Sequence, residues 1–162
     1  MEYNKDKNKC ERIECFCTEM EASAFVQGQL EQIPDADVQV LQFIDLFYTY
    51  NTNNEDEQEV LRKQFHAGYC YYFAVMLQAA FNRGEICWCA PFGHICWVDV
   101  DGIPYDVEGI CISEAEYYIP VSYLGGALAD FKHVPGVAYN ATKDDPQKII
   151  ERYLEDKKNE NI

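Results

Sequence analysis

Gly68-Tyr69-Cys70-Tyr71-Tyr72-Phe73-Ala74 opens a run that stays apolar on nearly every face as far as Asn82, interrupted only by Gln78. A helix with no polar face belongs at the centre of a domain, so residues 69–82 are expected to form a buried helix, with Gly84 at its C-terminal cap. Two short runs rich in β-formers follow, Glu85–Ala90 and residues 94–100. After Asp101-Gly102 comes a third, residues 103–107. The expected fold class is α+β: a central apolar helix opened by a cysteine and packed on a small antiparallel β-sheet.

Upstream, Val38, Leu41, Ile44, Phe47 and Tyr48 recur at helical spacing within residues 36–50, with Asp35 or Asp37 available as N-cap. Asn54 followed by Glu57 resembles a capping box for a helix running to about Phe65, broken by Ala67 and Gly68. Downstream of Gly109 the pattern is less regular. Residues 117–120 read as a tyrosine-rich connection, a short helix follows Ser122, and Asp144-Asp145-Pro146 opens a last helix. Residues 1–20 are polar, carry Cys10, Cys15 and Cys17, and read as a loosely held arm or a first short helix. Nothing in the pattern divides the 162 residues, so a single domain is expected.

With 13 basic against 28 acidic residues, the formal net charge is −15, which repels phosphate backbones and anionic membrane surfaces. Neither nucleic acid nor a membrane is an expected partner, and the acidic run at residues 54–59 reads as a solvated helix face. The charged residues 1–9 lead into no apolar run long enough for a signal peptide or a membrane span, so a cytoplasmic protein is expected. At 48% hydrophobic content the chain has enough apolar surface for a core, and most of its eight cysteines are expected to be free thiols.

A thiol attacks a carbonyl carbon as the thiolate, the form favoured by the partial positive charge at a helix N-terminus, where Cys70 stands. His94, at the start of a strand, is placed to take the thiol proton, and Asp106 to hold the imidazole. The register of the hairpin decides whether the last two meet. A two-residue turn at Asp101-Gly102 sets Val100 opposite Ile103 and throws His94 and Asp106 onto opposite faces. A three-residue loop, with Gly102 in the left-handed region as a G1 bulge, sets Asp99 opposite Ile103 and Cys96 opposite Asp106. His94 and Asp106 then share a face, and Glu108, directly across from His94, is a reserve orienter.

Gly-x-Cys-x-x-Phe-Ala at residues 68–74, a strand opening at His94 and carrying Trp97 and Asp99, and the aromatic-Asp pair Tyr105-Asp106 together resemble the transglutaminase-like branch of the papain-like cysteine-nucleophile fold. Phage and bacterial proteins of that branch look similar. The resemblance covers about 45 residues, and the chain departs from the family pattern in placing Trp97 three rather than two positions after the histidine. Gln64, six residues before Cys70, stands where papain-type peptidases carry the glutamine that helps bind the oxyanion, while His66 is a rival base.

The resemblance implies a cysteine-dependent acyl-transfer enzyme acting on an amide or peptide bond of a peptide or protein substrate. Cys70, His94 and Asp106 would form a triad, with no cofactor. The Asp-Cys-Ser opening usual in NlpC-type amidases is absent. Two other readings stand beside this one. One is a catalytically inactive papain-like domain whose aromatic residues bind a protein partner. The other is a zinc-binding interaction protein built on Cys15-x-Cys17 and Cys87-x-Cys89, a spacing shorter than structural zinc sites favour.

Overall fold

The computed structural model describes residues 23–67, 69–111, 114–124 and 146–160, which include five helices and five strands. The chain falls into two compact units divided between Leu61 and Arg62. In the first, α1 (Ala24–Gln32) starts where the Ser23 hydroxyl accepts from the Val26 N–H, and it packs on α2 (Val38–Asn51). Asp37, not Asp35, caps α2 by accepting from the Gln39 N–H at 2.8 Å. Leu41, Ile44 and Tyr48 are buried as their spacing implies, joined by Val40, while Val38 is exposed.

Helix α3 (Glu55–Ala67) begins with the expected cap, the Asn54 side chain accepting from the Glu57 N–H at 2.9 Å. The reciprocal bond is displaced by one residue, since the Glu57 carboxylate reaches the N–H of Asn53. Three acidic residues fill its first turn, where the helix dipole favours them.

The second unit is built on α4 (Cys70–Phe81) and an antiparallel sheet of β1 (Glu85–Ala90), β2 (Ile95–Val98), β3 (Pro104–Asp106), β4 (Gly109–Ile110) and β5 (Tyr117–Pro120), in the order β4-β3-β2-β1-β5. The sheet packs against α4. Residues 117–120, read from the sequence as a connection, instead pair with β1, because Ile119 is an apolar partner for Trp88. A 3₁₀ turn (Val121–Leu124) follows β5, and the short helix expected after Ser122 falls mostly outside the described residues. Helix α5 (Pro146–Glu160) carries Pro146 in its first turn, as expected, and its proposed Asp cap lies outside the described residues. The N-terminal arm lies outside them as well. No helix among the described residues is long and apolar enough to cross a membrane.

Trp97 ties helix to sheet. It is fully buried, stacks on Phe81 of α4 with ring centroids 5.8 Å apart, and donates its indole N–H to the Gln78 side chain at 2.8 Å. That bond explains the one polar residue within the apolar helix: a buried indole N–H needs an acceptor. Arg83, just after α4, clamps the Asp99 carboxylate with two bonds of 2.7 and 2.9 Å. The helix exit is thereby fastened to the β2–β3 hairpin.

The expected cap at Gly84 is corrected. Helix α4 ends at Asn82, which takes the left-handed conformation (φ 52°) and donates its N–H to the Gln78 carbonyl. Gly84 serves close approach instead: at φ 75°, a Cβ there would sit 2.5 Å from the Val98 carbonyl oxygen and 2.9 Å from the Trp97 ring. Gly102 also has positive φ (90°) but open space around it. Gly84→Ala is therefore expected to destabilise by at least ~2 kcal/mol and Gly102→Ala by about 1 kcal/mol, measured by denaturant unfolding. Equal losses would refute the role given to the Gly84 contact.

The hairpin takes the three-residue form. Trp97 faces Tyr105 and Val98 faces Pro104, the Asp99 N–H donates to the Ile103 carbonyl, and the Gly102 N–H donates to the Asp99 carbonyl. Continuing that register puts Cys96 opposite Asp106.

Candidate functional site

His94 is held by its own backbone, its carbonyl accepting from the Cys89 N–H at 2.9 Å at the mouth of the β1–β2 hairpin. The turn is closed by a bond from the Phe92 N–H to the Cys89 carbonyl, and the Trp88 indole N–H donates to the Phe92 carbonyl. In the strand alternation His94 shares a face with Cys96 and Asp106, while Trp97, an odd number of residues on, lies on the other.

His94 and Asp106 meet: Nε2 lies 2.8 Å from Oδ2, with both residues buried. The second carboxylate oxygen of Asp106 accepts from the Glu108 N–H at 2.8 Å, which fixes the carboxylate plane. Burial works against a charged imidazole, but the Asp106 hydrogen bond, aided by Cys111 and Cys70, reverses the balance and pushes His94 up to about 12. Burial also pushes the Asp106 carboxyl upward, opposed by its bond to His94. The shared proton sits on the imidazole.

Cys70, at the first position of α4, is buried, and its thiol lies close enough to His94 to interact with the ring. Nδ1 of His94 is buried and has no hydrogen-bond partner among the described residues. Cys70 and Asp106 thus both approach the His94 imidazole. Glu108 is not on that imidazole. It is half-exposed and lies 3.2 Å from Nε2 of His66, whose ring stacks on His94 at 4.5 Å and approaches Asp106 at 3.9 Å. His66, noted from sequence as a rival base, thus covers the site. Gln64 is exposed, and its carbonyl accepts from the Tyr69 N–H at the α3–α4 junction. No contact joins its side-chain amide to Cys70 or His94 among the described residues.

Cys96, placed by the hairpin register opposite Asp106, and Cys111 had no chemical role assigned from the sequence. Cys87, Cys89, Cys96 and Cys111 form a buried cluster of free thiols. Cys87 faces Cys96 across the β1–β2 ladder, and Cys111 follows β4, its N–H donating to the Pro104 carbonyl. Hydrogen bonds from Cys89 and Cys96, and the neighbouring His94, pull Cys111 well below the ordinary thiol value against the opposing effect of burial. Its two donors are raised in turn, and burial pushes Cys87 up to about 12. Alternation along β1 puts Cys87 and Cys89 on one face, but their meeting with Cys96 is set by the β1–β2 register, and Cys111 follows a strand too short for a periodic signal.

Two groups bring potential ligand atoms within 4.8 Å of one another: Cys89, His94 and Cys111, and His66, His94 and Asp106. Cys15 and Cys17 lie outside the described residues. No curated protein and no solved structure matches this chain. The family model described as Phage YunG-like protein matches residues 46–134, more than half of the chain and a span that contains every residue of this site, and the chain belongs to that family.

Proposed function

We propose that the chain is a cysteine-dependent acyl-transfer enzyme acting on an amide or peptide bond, with Cys70 as nucleophile, His94 as acid and base, and Asp106 as orienter. The observation that carries this reading is the 2.8 Å bond from His94 to Asp106 on the imidazole that Cys70 also approaches. The resemblance to the transglutaminase-like branch of the papain-like fold supports the same assignment.

In this reading the Cys70 sulfur attacks the carbonyl carbon as a thiolate, forming a C–S bond and a tetrahedral oxyanion. The backbone N–H of Cys70, at the positive end of α4, would donate to that oxygen. Collapse breaks the C–N bond, and the His94 imidazolium gives its proton to the departing amine. His94, now neutral, takes a proton from water or from an incoming amine, which attacks the thioester and regenerates Cys70. Throughout, Asp106 accepts from Nε2, so the nitrogen left to exchange protons is Nδ1. Water as acceptor makes the enzyme a peptidase or deamidase, and an amine makes it a transglutaminase.

Limiting iodoacetamide at neutral pH should alkylate Cys70 ahead of the other seven cysteines, as mapped by peptide mass spectrometry. Glutamine-containing peptides should release ammonia, with a fluorescent primary amine incorporated if transamidation competes. Slow, uniform labelling together with no turnover of any amide would sink the proposal.

A further inference from the structure

Beside the proposed triad lies a second set of donors that shares only His94 with the acyl-transfer chemistry. The ligand atoms of Cys89, His94 and Cys111 all fall within 4.8 Å of one another, and Cys96 belongs to the same buried thiol cluster. Tetrahedral zinc, with bonds of roughly 2.3 Å to sulfur and 2.0 Å to nitrogen, needs its ligand atoms about 3.5–3.8 Å apart, so a contraction of about 1 Å closes the set. Cys89 stands on β1, His94 just before the neighbouring β2, and Cys111 just after β4, tied to β3 by its N–H bond to the Pro104 carbonyl, so the sheet holds all three in place.

A second observation points the same way. Nδ1 of His94 is buried without a hydrogen-bond partner among the described residues, on a side chain only 10% exposed. Nε2 is already engaged by Asp106, and a carboxylate on the far nitrogen is the outer partner that orients metal-bound histidines. Sulfur-rich donors select zinc or another soft ion over magnesium or calcium.

We infer that Cys89, Cys111 and Nδ1 of His94 form a binding site for one soft metal ion, Zn²⁺ or a similar cation, with the fourth position left to water. Binding joins the cation to two thiolate sulfurs and one neutral imidazole, and the protons these groups carried pass to solvent. A disulfide between the two cysteines would leave the orphaned nitrogen without a role. The consequence for acyl transfer rests on the proposed function: a cation on Nδ1 takes the lone pair that exchanges protons with Cys70, so metal loading switches the enzyme off.

The test is an anaerobic titration of the reduced full-length chain with Co²⁺, followed by Zn²⁺ competition. One equivalent should give thiolate-to-cobalt charge-transfer absorption and tetrahedral d–d bands, both abolished by Zn²⁺. Cys89→Ser and Cys111→Ser should each weaken binding at least about tenfold, and Asp106→Asn by about 10–100-fold, while Cys70→Ala leaves the spectrum unchanged. Should the serine variants fail to fold, alkylation of the wild type keeps the question open to refutation. Zn²⁺ should then protect Cys89 and Cys111 while Cys70 still reacts. Absence of the charge-transfer band, protection confined to Cys10, Cys15 and Cys17, or a disulfide within the cluster in place of metal binding would each overturn the site. Because these readouts involve no turnover, failure of the metal site and failure of the acyl-transfer reading are seen separately.

Discussion

Cys70→Ala is expected to lower the rate of amide cleavage or transamidation by on the order of 10⁵-fold or more, the scale lost when a covalent nucleophile is removed from a cooperating triad. The large effect follows from chemistry: without the sulfur no thioester forms, and water must attack the amide directly. The fold should survive, because alanine suits the first turn of α4 and the void left is that of one sulfur atom. Circular dichroism and a thermal melt close to wild type, alongside lost turnover, would locate the effect in the reaction. Retained turnover would move the nucleophile elsewhere, with Cys111, the thiol held low beside His94, the next to replace.

Asp106→Asn should damage both stability and rate. The carboxylate is buried and bonded to an imidazole that carries the proton, so its replacement leaves a buried cation without its counter-charge, a change that costs about 3–5 kcal/mol when one member of a buried pair is removed. The asparagine also changes which tautomer the imidazole adopts, and the rate should fall by roughly 10⁴-fold. The stability loss carries a pH signature. Burial lowers the His94 value, but the Asp106 bond more than offsets it, so the folded value, about 12, lies above the ordinary 6.5. Stability from a raised value is fully present below the unfolded pKa and is lost as pH rises through the folded one. The penalty of Asp106→Asn should therefore be largest near pH 6 and shrink steadily toward pH 10, as read from urea unfolding midpoints. A penalty that stays constant or grows over that range would contradict an imidazolium–carboxylate pair in the folded state.

Both variants test residues that sequence alone brought forward, and the reason they were visible is local. Cys70 stands out because an apolar run with one interior polar residue can only be a buried helix, and its first residue is then known. His94 and Asp106 depend on a single backbone choice, the left-handed conformation of Gly102, which glycine permits at little cost and which converts a tight turn into a bulged one. The sequence held both options open, since Asp101-Gly102 suits either. The selection comes from packing: only the bulged register lets Trp97 and Tyr105 lie together on the face covered by Phe81.

Other features depended on contacts distant in the chain. Gln78 and Gly84 read as a stray polar residue and a helix cap, yet both answer to Trp97, which lies 19 residues beyond the first of them. Residues 117–120 become a strand because the β1 edge offers hydrogen bonds and Trp88 an apolar partner, neither encoded in those four residues. His66 joins the site through the α3–α4 junction, which turns its ring onto His94.

The sequence by itself determined the elements around the site and the chemical identity of its three central residues, because helix and strand periodicity and turn chemistry act over a few residues. Only the tertiary structure decided which thiols gather beside them. Cys87 and Cys89 lie on β1, Cys96 on β2 and Cys111 just after β4, and strand order joins β4-β3-β2-β1-β5 through long-range hydrogen bonds that no local pattern specifies. The imidazole belongs to both levels: its place in the strand was legible, while the buried carboxylate and thiols that hold its proton were assembled by the sheet.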